Sequence, residues 1–225
     1  AANLGTGNVN IVSGSSLVFT GLGTQTIANT FSGAGTFRMD GSGQISFSSP
    51  FTLGALDIAD GRVNINGIGT TSASVFSGGT LGGTGTIVGN VDNDGTVAPG
   101  NSIGTLTIQG NYVHTANAVL EIEFDALGGI DLLDVTGTAT INGGTVRFVS
   151  IGGAEGMGGT FLNADGGVTG TFDTVDTVGA LFPITVIYEP TSAGMAPTVL
   201  SARSSTFNAQ ILSAADTSFG FIDRV

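Results

Sequence analysis

The residue types that could do chemistry are few, and most lie in the middle of the chain. In "TVAPGNSIGTLTIQGNY" (96–112), Gly100, Ser102 and Gly104 spell G-x-S-x-G, the spacing of a serine nucleophile elbow. An elbow needs a strand, a strained turn at the serine and a following helix, with a histidine to take the hydroxyl proton. Both flanks of Ser102 read as extended, and the single histidine, His114, lies twelve residues on in "NYVHT". Pro99-Gly100 followed by Asn101-Ser102 is turn chemistry: Pro fixes φ, Gly tolerates φ > 0, and Asn and Ser side chains bond back to nearby backbone. Ser102 is therefore expected to be a corner.

Metal-like motifs are incomplete in the same way. "DNDG" (92–95) resembles the opening of a calcium loop, but the twelfth position is Ile103, where a bidentate Glu is needed. "GGTGTI" (82–87) resembles a calcium-binding nonapeptide repeat, but Ile87 stands at the aspartate position. The first is expected to form an Asx-type turn and the second a strand corner. No metal or cofactor is expected. Glu121, Glu123 and Asp125 in "VLEIEFDA" (119–126) should project from one strand face. Neighbours two apart on such a face are separated by about 6.5–7 Å, a separation open to an inverting glycosidase pair. The plainer reading is that three exposed acids keep the strand soluble and blunt pairing with other chains. His114 is expected to pack or hydrogen-bond at a strand surface. Tyr112 and Tyr188, without any Trp, offer little stacking area for sugars or bases.

The elements that must position these residues are short strands. "GTFRMDGSGQISF" (35–47) sets Phe37 and Met39 against Arg38, and after a Gly41–Gly43 turn Ile45 and Phe47 repeat the alternation. In "ALDIADGRVNING" (55–67), Leu56, Ile58, Val63 and Ile65 point inward and Arg62, Asn64 and Asn66 outward, with Asp60-Gly61 turning between. Leu120, Ile122 and Phe124 alternate with the three acids. Period two marks strands with one buried face, so the chain reads as all-β. The 39 glycines are scattered every few residues rather than run together, which is the punctuation of many tight turns.

Charge excludes several partners. All five basic residues are arginines (Arg38, Arg62, Arg147, Arg203 and Arg224), and 17 acids leave a net charge of −12. Such a chain repels phosphate backbones and anionic head groups, so nucleic acid and heparin-like partners are not expected. Cysteine is absent, which removes disulfides, thiolate metal sites and a cysteine nucleophile. No stretch approaches the roughly 18 apolar residues of a membrane helix, so direct membrane insertion is not expected. The chain opens "AANLGTGNVN", with neither a basic n-region nor an apolar h-region.

The turns resemble one another: "FSGAGTF" (31–37), "FSGGTLGGTGTI" (76–87), "NGGTV" (142–146) and "MGGTF" (157–161). Such local self-similarity suggests a solenoid, although periodicity alone leaves a sandwich or closed barrel open. "GGTLGGTGTIVGNVDNDGTVAPGNSIGTLTIQGNY" (78–112), "DLLDVTGTATINGGTVRFV" (131–149) and "GTFLNADGGVTGTFDTV" (159–175) resemble the passenger region of Gram-negative type V autotransporters. "SGAGTFRMDGSGQISFSSPFTLGALDIADGRVNING" (32–67) is similar to the passenger-associated repeat of that family. The resemblance spans about residues 30 to 202. It implies a right-handed parallel β-helix, which at about 20 residues per coil gives roughly ten coils.

The resemblance also implies that residues 1–203 form a stalk, with about 105–203 corresponding to the autochaperone-like part. Residues 204–225, a linker toward a translocator barrel, leave room for a short amphipathic helix in "SSTFNAQILSAADTSF" (204–219). No barrel strands follow in this sequence, so a fragment ending before the barrel is expected. The implied function is structural and non-enzymatic: a cell-surface or secreted stalk of an adhesin or virulence factor, whose partner in export is its own outer-membrane barrel. Leu106, Ile108, Leu120, Ile122, Phe124, Val146 and Phe148 are the candidate folding core. An adhesive face contacting host or neighbouring cells is the alternative reading, and a polysaccharide-cleaving enzyme using Glu121 and Glu123 a more distant one.

Overall fold

The computed structural model describes residues 7–152, 158–180 and 183–197. The segment 204–219 lies outside the described residues. Among those described, all regular structure is β-strand, with no helix and therefore none long and apolar enough to cross a membrane. Nearly all strand pairs are parallel. The chain repeatedly comes back to hydrogen-bond alongside itself. Leu17, Phe37, Leu56, Ala73, Val91, Tyr112, Ala139 and Val168 are each the register partner of the next. A second ladder runs Gln25, Ile45, Val63, Leu81, Val97, Leu120, Val146 and Val175. A third joins Gly69, Ile87, Ile108, Val135 and Ala164.

Among the described residues the first ladder has eight members and seven returns, against the roughly ten coils expected for the chain. Its members are 20, 19, 17, 18, 21, 27 and 29 positions apart. The last two returns are long in part because strands Val119–Asp125 and Thr145–Ile151 are seven residues each, and a turn follows the first of them. In that turn, Asp125 Oδ1 accepts the N–H groups of Leu127 and Gly129, each at 2.8 Å.

Alternation fixes which side chains meet. Residues two apart face the same way, so Phe37 and Met39, Leu56 and Ile58, and Leu120, Ile122 and Phe124 all enter one contiguous core. Leu106, Ile108, Leu120, Ile122, Phe124, Val146 and Phe148 are all buried in it. Toward the N-terminus the core is aromatic: Phe31, Phe37 and Phe47 meet edge-to-face at 5.3–5.7 Å, and Phe51 lies 4.7 Å from Phe47.

The two ends differ. At the C-terminal end an antiparallel hairpin of Ile184–Glu189 and Ser192–Pro197 pairs with Gly159–Ala164 and buries Ile184, Ala193 and Met195. Tyr188 Oη accepts the Phe172 N–H at 2.8 Å, pinning the hairpin over that ring. At the N-terminal end, Ser16–Phe19 and Thr24–Ile27 pair only with Thr36–Phe47 among the described residues. Among the described residues their opposite edges carry no strand, and Leu17 and Phe19 remain partly exposed.

Outward ladders pair two of the arginines with acids. Arg38 sits across from Asp57 and lies 3.7 Å from its carboxylate, and it also reaches Asp40 at 3.6 Å. Glu121, Arg147 and Asp176 are successive register partners; Arg147 reaches Glu121 at 3.6 Å and donates to Asp176 at 2.9 Å. Opposite charges alternate where stacked like charges would repel. The two carboxylates raise the Arg147 pKa further.

Candidate functional site

Between a neutral polar stretch and a charged stretch of one outward ladder the side chains nearly disappear. The ladder runs Ser46, Asn64, Gly82, Ala98, after which Glu121, Arg147 and Asp176 continue it. Gly82 and Ala98 leave two consecutive levels nearly bare, a span of roughly 10 Å along the stack. The result is a lateral cleft of about 410 Å³.

Arg62 forms one wall. Its Nε donates to Asn64 Oδ1 at 2.7 Å and its Nη2 reaches Ala98 O at 3.4 Å. The guanidinium lies across Gly82, where any Cβ would collide with Nη2. Only glycine lets the arginine lie flat there. Asn64 faces outward as the alternation requires, yet it is buried because Arg62 covers it.

The opposite wall is acidic. Glu123 borders the cleft, and Glu121 borders it while held by Arg147. Asp131 lies beneath them, 1% exposed. Its Oδ1 accepts the Gly104 N–H at 2.8 Å and its Oδ2 the Glu123 N–H at 2.9 Å. Burial nevertheless dominates, pushing the Asp131 carboxyl up to about 7. Asp131 thus ties the turn after Pro99 to strand Val119–Asp125. That turn supplies the rim, with Asn101 and Ser102.

Ser102 has φ 128°, the only positive φ on a non-glycine residue among those described. It is exposed, and the chain continues into strand Thr105–Gln109 rather than a helix. Gly100, with φ 87°, exchanges two backbone hydrogen bonds with Gly83 at 2.8 and 3.1 Å. The G-x-S-x-G stretch is a strand corner, as its composition suggested. A strained corner, a covered arginine and a buried acid with a displaced pKa meet at this one cleft.

His114 is a correction. It was expected at a strand surface, but it is fully buried, because strand Tyr112–His114 turns both its terminal side chains inward. Its ladder is otherwise apolar on both sides: Phe19, Met39, Ile58 and Val75 precede Asn93 and His114, and Ile141 follows. Asn93, Tyr112 and His114 form a polar island. The Tyr112 hydroxyl lies 2.8 Å from His114 Nδ1, and Asn93 Nδ2 donates to Tyr112 Oη at 3.1 Å and to Val119 O at 3.2 Å. His114 Nε2 has no hydrogen-bond partner among the described residues, and Phe172 packs edge-to-face on the ring at 5.0 Å. Burial lowers the His114 pKa to about 4 and raises that of Tyr112. Asn93 also accepts the Gly95 N–H at 3.1 Å, so "DNDG" folds as an Asx turn with its asparagine facing the core.

Reasoning from sequence did not single out Arg62 or Asp131 as site residues. A signal existed for Asp131: it is in phase with Leu133 and Val135, both buried, so period two puts it inside. The same phase argument places His114 with Tyr112 and Asn93 with Val91. Asp125 joins neither cleft nor core, being committed to its turn. No group of three or more His, Cys, Asp or Glu side chains among the described residues could hold a metal ion. No protein-family model matches the chain, and no curated protein is a significant match.

Proposed function

We propose that this chain is a β-helical stalk from an autotransporter passenger, exposed on or secreted from a Gram-negative cell. In this reading the stacked returns are coils of a right-handed parallel β-helix. The C-terminal coils promote folding and export through the chain's own outer-membrane barrel. The observation that carries the reading is an inequality of the ends among the described residues: a hairpin covers part of the C-terminal end by pairing with Gly159–Ala164, whereas no such hairpin lies on Ser16–Phe19 or Thr24–Ile27, although Val168–Thr171 and Thr174–Val178 also pair on one edge only. The hairpin-bearing end offers a template. Each coil laid on it buries apolar residues, and this supplies directional bias across a membrane that has no ATP. The stalk works by stacking, without catalysis.

Phe124→Asp tests the reading. Phe124 is 1% exposed, and a carboxylate there costs several kcal/mol. The substitution is expected to remove the cooperative melt of this chain and to impair surface display of a full-length parent. Normal display together with an unchanged Tm would refute it.

A second reading, an adhesive lateral face, gains from the cleft between Arg62 and Glu123. Analytical ultracentrifugation over a concentration series checks self-association through such a face. The third, cleavage by Glu121 and Glu123, is disfavoured because Glu121 is spent on Arg147.

A further inference from the structure

The cleft has one wall that can only donate hydrogen bonds and one that can only accept them. A guanidinium carries five N–H donors and no acceptor, and an ionised carboxylate accepts only. Arg62 spends Nε on Asn64 and makes a long contact to Ala98 O, and among the described residues no carboxylate pairs with it. Glu123, across the cleft, likewise has no ion-pair partner among the described residues. The two form no ion pair with each other, and the space between them is left open because Gly82 has no side chain and Ala98 only a methyl.

These walls restrict the ligand's chemistry. An anion held by Arg62 would face Glu123 and Glu121. A cation held by Glu123 would face Arg62. A hydroxyl both accepts and donates, so a neutral polyhydroxylated molecule satisfies both walls without bringing in a net charge. The remaining lining suits the same chemistry: the amides of Gln44 and Asn101 and the hydroxyl of Ser102. Asp131, fastened to Gly104 and Glu123, holds the Ser102 rim against the acidic wall.

We propose that the lateral cleft between Arg62 and Glu123 binds a neutral saccharide unit. This goes beyond the stalk reading and does not depend on it. No aromatic ring lines the cleft, so affinity comes from hydrogen bonds and is weak, with a Kd of about 1 mM. Weak single sites suit a protein displayed in many copies, where several engage one glycan at once.

Titrating ¹⁵N-labelled protein with cellobiose, maltose and chitobiose, beside glucuronate and betaine as charged comparators, tests the proposal. At least one neutral disaccharide is expected to saturate, shifting the amides of Gly82, Asn101, Ser102 and Glu123. Arg62→Met and Glu123→Gln each remove a charged hydrogen-bond partner and should weaken binding about tenfold. Thermal melts identify variants that remain folded, and Gln44→Ala at the rim gives a milder loss that keeps the test alive if Arg62→Met unfolds. Failure of every neutral disaccharide to saturate would overturn the proposal. So would binding confined to the charged comparators, or binding unchanged in folded Arg62→Met and Glu123→Gln.

Discussion

The N-terminal and C-terminal halves obey the same register rule but fill their interiors differently. Toward the N-terminus, edge-to-face phenylalanines pack the core, successive returns take 17–20 residues, and among the described residues the outermost strands pair on one edge only. Toward the C-terminus the returns lengthen to 27 and 29, a hairpin covers part of the end, and an Asn–Tyr–His island interrupts the apolar ladder. Rings that are interchangeable hydrophobes hold levels together without saying which level belongs on which. A buried polar set is satisfied only when its members are adjacent, so Asn93, Tyr112 and His114 select one stacking order. The difference teaches that the polar register set is what sets the C-terminal side apart, since aromatic contacts such as Phe148 with Phe161, edge-to-face at 5.2 Å, join levels there as well.

The largest expected effect separates the halves kinetically. Phe47→Ala and Phe148→Ala each empty a fully buried site and should cost about 3–5 kcal/mol. If the closed end folds first, Phe148→Ala slows refolding, whereas Phe47→Ala chiefly speeds unfolding. Stopped-flow rates for the two variants decide, and the opposite assignment breaks the comparison.

Next comes pH, where two buried groups act with opposite sign. His114 titrates near 4 in the folded chain, below its ordinary 6.5, so its contribution is present above about 6.5 and is lost as pH falls through 4. That amounts to roughly 3 kcal/mol. Asp131 titrates near 7, above its ordinary 3.8, so its contribution is present below 3.8 and is lost as pH rises through 7, roughly 4 kcal/mol in full. Between pH 4 and 6.5 the two oppose each other and stability should be nearly level. His114→Leu should leave a steady fall with rising pH, and Asp131→Asn a steady fall with falling pH. Urea midpoints across pH 4–8 check both, and profiles left level in both variants contradict the assignment.

Smaller is Tyr112→Phe, which removes the hydroxyl partner of His114 Nδ1 and an acceptor from Asn93 at a cost of about 1–3 kcal/mol. Smallest is Arg147→Met on the outer ladder, where half-exposed ion pairs with Glu121 and Asp176 are worth under about 1 kcal/mol. A loss at Arg147 larger than at Tyr112, measured by denaturant midpoint, would invert the ranking of outer charge against inner register.

Much of the strand layout was legible because alternation is local. Leu120, Ile122 and Phe124 announce a one-sided strand, and Pro99-Gly100 with Asn101-Ser102 announces a corner whatever lies beyond it. The polar interior was not legible, because the residue types argued against their own phase. His114 reads as a surface residue, and it is admitted to the core only by partners 2 and 21 positions away. The cleft is less local still: Arg62 meets Ala98 across 36 positions, and Gly82 looks like any turn glycine until the arginine above it is known. The spacing of the returns was less legible for a related reason, since it lengthens to 27 and 29 without disturbing the period of two.

The claim on which the rest depends is that the capped C-terminal levels form the stable template and the N-terminal levels stack onto it. Native-state hydrogen exchange read by mass spectrometry tests it most directly. The account predicts slowest exchange in Val119–Asp125 and Thr145–Ile151, with protection declining level by level to Ser16–Phe19 and Thr24–Ile27. Equal protection at both ends, or a gradient running the other way, would contradict it.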